Sequence, residues 1–234
     1  MYTYMNVLNY YFDKIYVITS KSTECRIRYI KDLFNKEDIK FQFHYAPHPD
    51  FINDKIIEGY LEYLKNNNQV DTLPSSKFRI SCAISHLQTL RQFQYSDFKN
   101  VLIFEDDVYF ENNYIDKMHV FMNNVPKEWD ILNLGRNYTY RDEQVLKLNQ
   151  HINIPLTVYG AHAYAFSRNK IEEFCDYFEK PHQLPWGPDP HYVKMYNSGY
   201  KCYCPSSYIF GALSIHNKDK NFIKTNERFE SYLS

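Results

Sequence analysis

Three adjacent carboxylates, Glu105, Asp106 and Asp107, follow directly on the apolar run Val101-Leu102-Ile103-Phe104. Such a run reads as a short buried strand of a parallel sheet. In open α/β sheets ligands bind beyond the carboxyl ends of the strands, so the acids stand where a site belongs. Neighbouring negative charges repel, and a divalent cation relieves the repulsion. A hard ion such as Mn²⁺ or Mg²⁺ takes one or two protein carboxylates and fills its sphere with water and phosphate oxygens. Strand alternation sends Glu105 and Asp107 one way and Asp106 the other. Asp107 is therefore the expected direct metal ligand, with Glu105 beside it or acting through water. An acidic turn left in solvent is the plain alternative, and the triplet alone fits both.

Other polar residues fall at comparable places. Thr19, Ser20 and Arg26 lie at or just past the end of the first strand, where a nucleotide would enter. Hydroxyls and a guanidinium suit base, ribose or phosphate, whereas Ser20 reads better as a helix cap. Asp189, between Pro188 and Pro190, has the pattern of an N-cap followed by Pro at the first helical position. His86 lies near the apolar stripe of its helix and reads as a satisfied, partly buried histidine.

The elements that must position these groups alternate in type. Residues 14–18 form a strand, 24–34 an amphipathic helix and 41–46 a second strand, a β-α-β opening that argues for a doubly wound α/β domain. Helices are expected over 53–64, 80–93 and 114–122, with a polar loop before the second, and a strand over 129–135. Residues 136–153 lack apolar periodicity and read as loop with a hairpin. A strand over 157–166 carries Gly160, a sign of a bulge or a close backbone approach. A helix over 168–178, a turn at 184–190 leading into another helix, and short strands at 201–204 and 207–213 complete the pattern. No repeat or linker divides the chain, so one domain over 1–234 is expected, with a donor half over 13–135, an acceptor half over 136–220 and a polar tail.

Composition narrows the classes. Net charge is −1 without a long basic run, which argues against a dedicated nucleic-acid binder. Aromatics reach 18%, with 23 Tyr, which fits an AT-rich genome as well as stacking on sugar rings. Five cysteines at irregular spacing make no disulfide framework, and Cys202-Tyr203-Cys204 lacks zinc-site spacing. Reduced thiols in a cytosol-like compartment are expected. Residues 1–12 lack the apolar core of a signal peptide, and no stretch approaches the ~20 apolar residues of a membrane span.

Several segments, in order, resemble glycosyltransferase family 25, which includes lipooligosaccharide β-galactosyltransferases and collagen galactosyltransferases. They are residues 14–18 with Arg26, Ser81-Cys82-Ala83-Ile84-Ser85-His86, residues 101–108, Trp129-Asp130-Ile131-Leu132-Asn133-Leu134-Gly135, and residues 159–167. Ser81 stands where the family usually has Gly, and Ile18-Thr19-Ser20 replaces the common Ile-Asn-Leu. The resemblance implies a GT-A fold, a UDP-sugar donor (galactose or glucose) and inversion at the anomeric carbon. By the same analogy Asp106 meets the donor ribose, His216 is the third metal ligand, and Lys218 and Lys220 balance diphosphate charge. Trp186 and Asp189 resemble the Trp-Gly-rich acidic turns of inverting galactosyltransferases, which makes Asp189 the expected base and Trp186 an acceptor-stacking residue. Asp130 is the alternative base. The acceptor would be a glycan, a lipid-linked saccharide or a hydroxylated protein side chain. Rival readings are a catalytically silent nucleotide-sugar or glycan binding module, and a nucleotidyltransferase, which would normally carry a Gly-rich phosphate loop that this chain lacks.

Overall fold

The strand β1 (Lys14–Thr19) divides its side chains between two cores. Tyr16 and Ile18 enter one, Ile15 and Val17 the other, as a period of two requires. In β3 (Asn100–Glu105), Val101 and Ile103 face the first core, and Leu102 and Phe104 the second. A strand buried on both faces needs a cover on each side. The computed structural model describes residues 6–66, 73–135, 145–180 and 188–213, and within these both covers are present. The helices α4 (Leu73–Gln94), α6 (Ile171–Phe178) and α7 (Asp189–Tyr196) cover one face through Leu87, Leu90, Phe93, Phe174, Phe178 and Tyr192. The helices α1 (Val7–Tyr11), α2 (Glu24–Lys36) and α5 (Tyr114–Asn124) cover the other through Leu8, Ile30, Phe34, Met118 and Phe121. Each such Leu or Phe contributes about 1.5–3 kcal/mol through burial.

Eight strands form the sheet, in the order β2-β1-β3-β8-β5-β9-β7-β6. Here β2 is Gln42–Tyr45, β5 Ile131–Asn133, β6 Val145–Lys147, β7 Ile152–Pro155, β8 Ala163–Ser167 and β9 Cys202–Pro205. β1 pairs in parallel with β2 and β3, and β5 with β9. β8 lies between β3 and β5 and runs antiparallel to both, which makes β3 and β5 co-directional. β4 (Val108–Phe110) and β10 (Phe210–Ala212) form a separate antiparallel pair. The α/β class and the mostly co-directional central sheet with helices on both faces are as expected. A further helix, α3 (Asp54–Asn66), lies beyond β2 in the chain. Among the described residues, no helix is long and apolar enough to cross a membrane.

Several boundaries differ from the sequence reading. α4 reaches back to Leu73, into a stretch read as polar loop. Pro74 falls in its first turn, where a missing N–H costs nothing. The strand expected over 157–166 starts only at Ala163. Before it, Gly160 adopts φ +135°, and a Cβ there would stand 1.9 Å from the Gly135 carbonyl oxygen, so the close backbone approach is real. The hairpin expected within 136–153 is β6 and β7, although residues 136–144 lie outside the described residues. All five cysteines are free thiols.

The carboxyl end of α4 is closed by an arginine from beyond β8. Arg168 Nε donates to the Phe98 carbonyl at 2.6 Å, Nη1 to that of Gln94 at 2.9 Å, and Nη2 to that of Phe93 at 3.0 Å. The guanidinium thus satisfies carbonyls around the helix end and lies over the Phe93 ring, 5.0 Å from its centre.

Candidate active site

The carboxyl ends of β1 and β3 open onto a cavity of about 740 Å³. Thr19, Thr23 and Arg26 line it from the end of β1 and the start of α2, Cys82 and His86 from α4, and Glu105, Asp106 and Asp107 from the end of β3. Strand geometry stops at Glu105. The alternation rule therefore does not carry past it, and all three acids line the one cavity.

Asp106 is held from the β1 side. Arg26 Nη1 donates to Oδ1 at 2.7 Å, and Thr19 Oγ1 donates to Oδ2 at 2.7 Å, with Thr23 Oγ1 at 3.4 Å from the same oxygen. Burial raises the Asp106 carboxyl, while Arg26 and the Thr19 hydroxyl oppose it. Burial also works against the Arg26 charge, and the charges of Asp106, Asp107 and Glu105 outweigh it. Two donors at 2.7 Å are the contacts of an ionised carboxylate, and that is the state we assign to Asp106. Thr23, the residue ahead of α2, makes no side-chain cap; its hydroxyl instead donates to the Ser20 carbonyl.

Glu105 turns the other way, towards α4. Its Oε1 lies 3.1 Å from His86 Nε2, and His86 Nδ1 lies 2.8 Å from the Tyr164 hydroxyl. Burial pushes Glu105 up to about 8, helped by the charges of Asp107 and Asp106. Burial pushes His86 down to about 4. Burial thus disfavours the charged form of both partners. The sequence reading of His86 as a satisfied histidine holds, but its burial is complete and one of its partners is an acid of the site.

Asp189 does not act as the N-cap. It is the first residue of α7, and Pro188 occupies the cap position. Its Oδ1 accepts from the Gly160 N–H at 3.0 Å, and Ala161 N–H is a second backbone donor to the carboxylate. Burial raises the Asp189 carboxyl, the two donors oppose that, Glu105 adds to the rise and His86 opposes it. Asp189 thus feels the charges of Glu105 and His86, although it is not among the residues that line the cavity. Asp130, the alternative base, precedes the first residue of β5 and accepts from the Lys201 N–H at 2.8 Å. That is the amino end of a strand co-directional with β3, the edge of the sheet opposite the acids, which removes it from the site. Trp186, His216, Lys218 and Lys220 lie outside the described residues.

A model of glycosyltransferase family 25 (LPS biosynthesis protein) matches residues 12–185, a span that holds β1, the acidic run and β8. The chain belongs to glycosyltransferase family 25. No curated protein matches it. Among solved structures, it is similar to a glycosyltransferase involved in the glycosylation of the major capsid of PBCV-1, at 8% identity and a TM-score of 0.45, over 93% of this chain and 99% of that one. It is also similar to the inositol-1-phosphate CTP transferase from T. maritima, at 8% identity and a TM-score of 0.48, over 92% and 95%. A third is the nucleoside-diphosphate-sugar pyrophosphorylase from Vibrio cholerae RC9, at 11% identity and a TM-score of 0.45, over 93% and 84%. At these scores the reading of the site in this family 25 chain rests on the family and on its own geometry. Cys82 and His86 belong to a segment that carried the resemblance, yet no site role was read from them. Their four-residue spacing, which puts both on one helix face, was the signal available.

Proposed function

We propose that the protein transfers a hexose, galactose or glucose, from a UDP-sugar to an acceptor hydroxyl, with Mn²⁺ or Mg²⁺ as cofactor and inversion at the anomeric carbon. The observation that supports this reading best is the acidic run at the carboxyl end of β3 opening into a cavity of about 740 Å³ beside Arg26 and Thr19. A volume of that size suits a nucleotide-sized ligand. The donor set fits a hard cation: Asp107 and Glu105 are oxygen ligands, and Glu105 is raised well above the carboxylate range by burial and by the charges of Asp107 and Asp106. Asp107 would hold the ion directly with Glu105 beside it, and His216 would be a third ligand. When bound, the ion supplies charge neutralisation for the departing diphosphate.

The chain's own groups do the rest. Arg26 and Thr19 fix Asp106, whose remaining lone pairs are left for ribose hydroxyls. Lys218 and Lys220 balance diphosphate charge, and Trp186 stacks on the acceptor sugar. Asp189 takes the proton of the acceptor hydroxyl as that oxygen attacks the anomeric carbon and UDP leaves with the bonding pair. A pKa raised by burial brings a base closer to the working pH, as this role asks. The acceptor is a glycan, a lipid-linked saccharide or a hydroxylated protein side chain.

The test is a screen of UDP-, GDP- and CMP-sugars with Mn²⁺, read by nucleotide release, alongside thermal stabilisation by each nucleotide. Mn²⁺-dependent stabilisation by UDP and release of UDP from UDP-galactose or UDP-glucose is the expected result. Stabilisation by UDP without turnover of any donor would favour a binding module. No response to UDP at all would sink the reading.

A further inference from the structure

We propose that Cys82, His86 and Glu105 form a cation site of their own, for a thiophilic divalent ion of the Zn²⁺ class. The Cys82 sulfur, a His86 ring nitrogen and a Glu105 carboxylate oxygen all lie within 4.8 Å of one another. Among the described residues, this is the one set of three potential ligands whose donor atoms come so close. Its composition is mixed: one thiolate, one imidazole and one carboxylate are the ligands of zinc, while magnesium and calcium select oxygen alone. Zn–S near 2.3 Å and Zn–N or Zn–O near 2.0–2.2 Å put neighbouring ligand atoms of a tetrahedral ion about 3.3–3.7 Å apart. The His86 Nε2–Glu105 Oε1 separation of 3.1 Å is already close to that spacing, and the Cys82 sulfur lies within 4.8 Å of both partners' ligand atoms.

The surroundings are those of a built site. Cys82 and His86, four residues apart on α4, share one face of the helix. His86 has no exposed side-chain surface, and Tyr164 holds its Nδ1 at 2.8 Å, which leaves Nε2 aimed at Glu105. A hydrogen bond to the far ring nitrogen is the usual support of a metal-binding histidine. The helix is tied to the cavity rim where the ligands sit, because the Ser81 hydroxyl donates to the Pro47 carbonyl at 2.6 Å. All three ligands line the cavity, and Glu105 keeps 30% of its side-chain surface exposed. Three protein ligands with the fourth position open to the cavity is the arrangement of an exchangeable zinc, not of a closed structural one. A water or a substrate oxygen completes the sphere.

Glu105 also stands beside the Asp107 ion of the proposed function. Filling the Cys82 site withdraws it, so Zn²⁺ is expected to compete against Mn²⁺-dependent UDP binding. That consequence rests on the proposed reaction; the site does not, and its test needs no sugar transfer. Co²⁺ is titrated into the untagged full-length chain under reducing conditions and followed by absorption. Expected are a thiolate-to-cobalt band in the near ultraviolet and intense visible bands of a tetrahedral ion, saturating at one equivalent. Zn²⁺ bleaches them, and excess Mn²⁺ does not. Cys82→Ser loses the near-ultraviolet band and binds at least tenfold more weakly, while Asp107→Asn keeps the band, which separates this site from the Asp107 ion. In parallel, peptide-resolved alkylation should show Zn²⁺ protecting Cys82 at least tenfold and leaving Cys25 unprotected. This arm needs no variant and stands even if Cys82→Ser fails to fold. Absence of the band in the wild-type chain, its survival in a folded Cys82→Ser protein, or alkylation of Cys82 at an unchanged rate would overturn the proposal.

Discussion

At the scale of single residues, the proposed reaction divides its chemistry between Asp107 and Asp189, and each makes a separable prediction. Asp107→Asn should lower Mn²⁺-dependent UDP affinity at least tenfold, or about 1.4 kcal/mol, with melting nearly unchanged. Its backbone carbonyl, which accepts from the Leu213 N–H at 2.8 Å, is untouched by the change. Titration calorimetry decides; wild-type affinity would remove Asp107 from the metal site. Asp189 holds the Gly160 and Ala161 amides, so Asn and Ala should differ there. Asn keeps a carbonyl oxygen for those amides and should lower kcat by roughly 10²–10⁴ while stability stays close to wild type. Ala leaves both amides without that acceptor and should cost about 1–3 kcal/mol as well. As a base, Asp189 must be ionised, and burial raises its pKa. The acid limb of kcat/KM should therefore fall at a pH above the ordinary Asp range and disappear from the residual activity of Asp189→Asn. An Asp189→Asn enzyme turning over at the wild-type rate would leave the residue as a clasp for the Gly160 loop and nothing more.

Among the elements, the loop before β8 is the most demanding. Gly160→Ala would place a Cβ 1.9 Å from the Gly135 carbonyl oxygen at a φ of +135°, and should cost about 3 kcal/mol or more by urea denaturation. A variant within 1 kcal/mol of wild type would mean that the loop adapts freely. This is also where legibility in the sequence changed. β1, α2 and β3 were readable because their apolar periods are unambiguous, and the three acids were readable because they follow such a strand. Gly160 was readable as a close approach, but its partner Gly135 was not, since the contact joins two loops across the sheet. The clamp of Arg168 on the end of α4 was invisible for the same reason: residue 168 meets 93–98 only through the pairing of β8 with β3. Of the two readings of Asp189, only the cap fails: Asp ahead of Pro is a strong local signal, and a pair of amides on a distant loop outweighs it. His86 as the partner of Glu105 needed the register of α4 over the end of β3, which no local pattern carries.

For the molecule as a whole, acid sensitivity should follow from a buried imidazole. Burial lowers the pKa of His44, on β2, with side-chain hydrogen bonds to Gln88 and Gln92 opposing and the charge of His86 adding to the fall. A histidine whose folded pKa lies below its unfolded value near 6.5 favours unfolding when it takes a proton. Its contribution is present in full above that pH and is lost as pH falls through and below it. His44→Gln should flatten this part of the curve of melting temperature against pH, and an unaltered curve would assign the loss to other groups. The position of β8 has a consequence for how the protein is made. Val101, Leu102, Ile103 and Phe104 are fully buried, and one edge of their strand is covered by a segment that leaves the ribosome well after them. Until β8 emerges, β1 and β3 can pair, but β3 presents an open apolar edge, and β5 waits for the same insert. Such edges invite strand pairing between molecules. Nascent chains stalled before residue 163 should therefore cling to chaperones and aggregate on release, whereas chains stalled late enough to free β8 should resist protease.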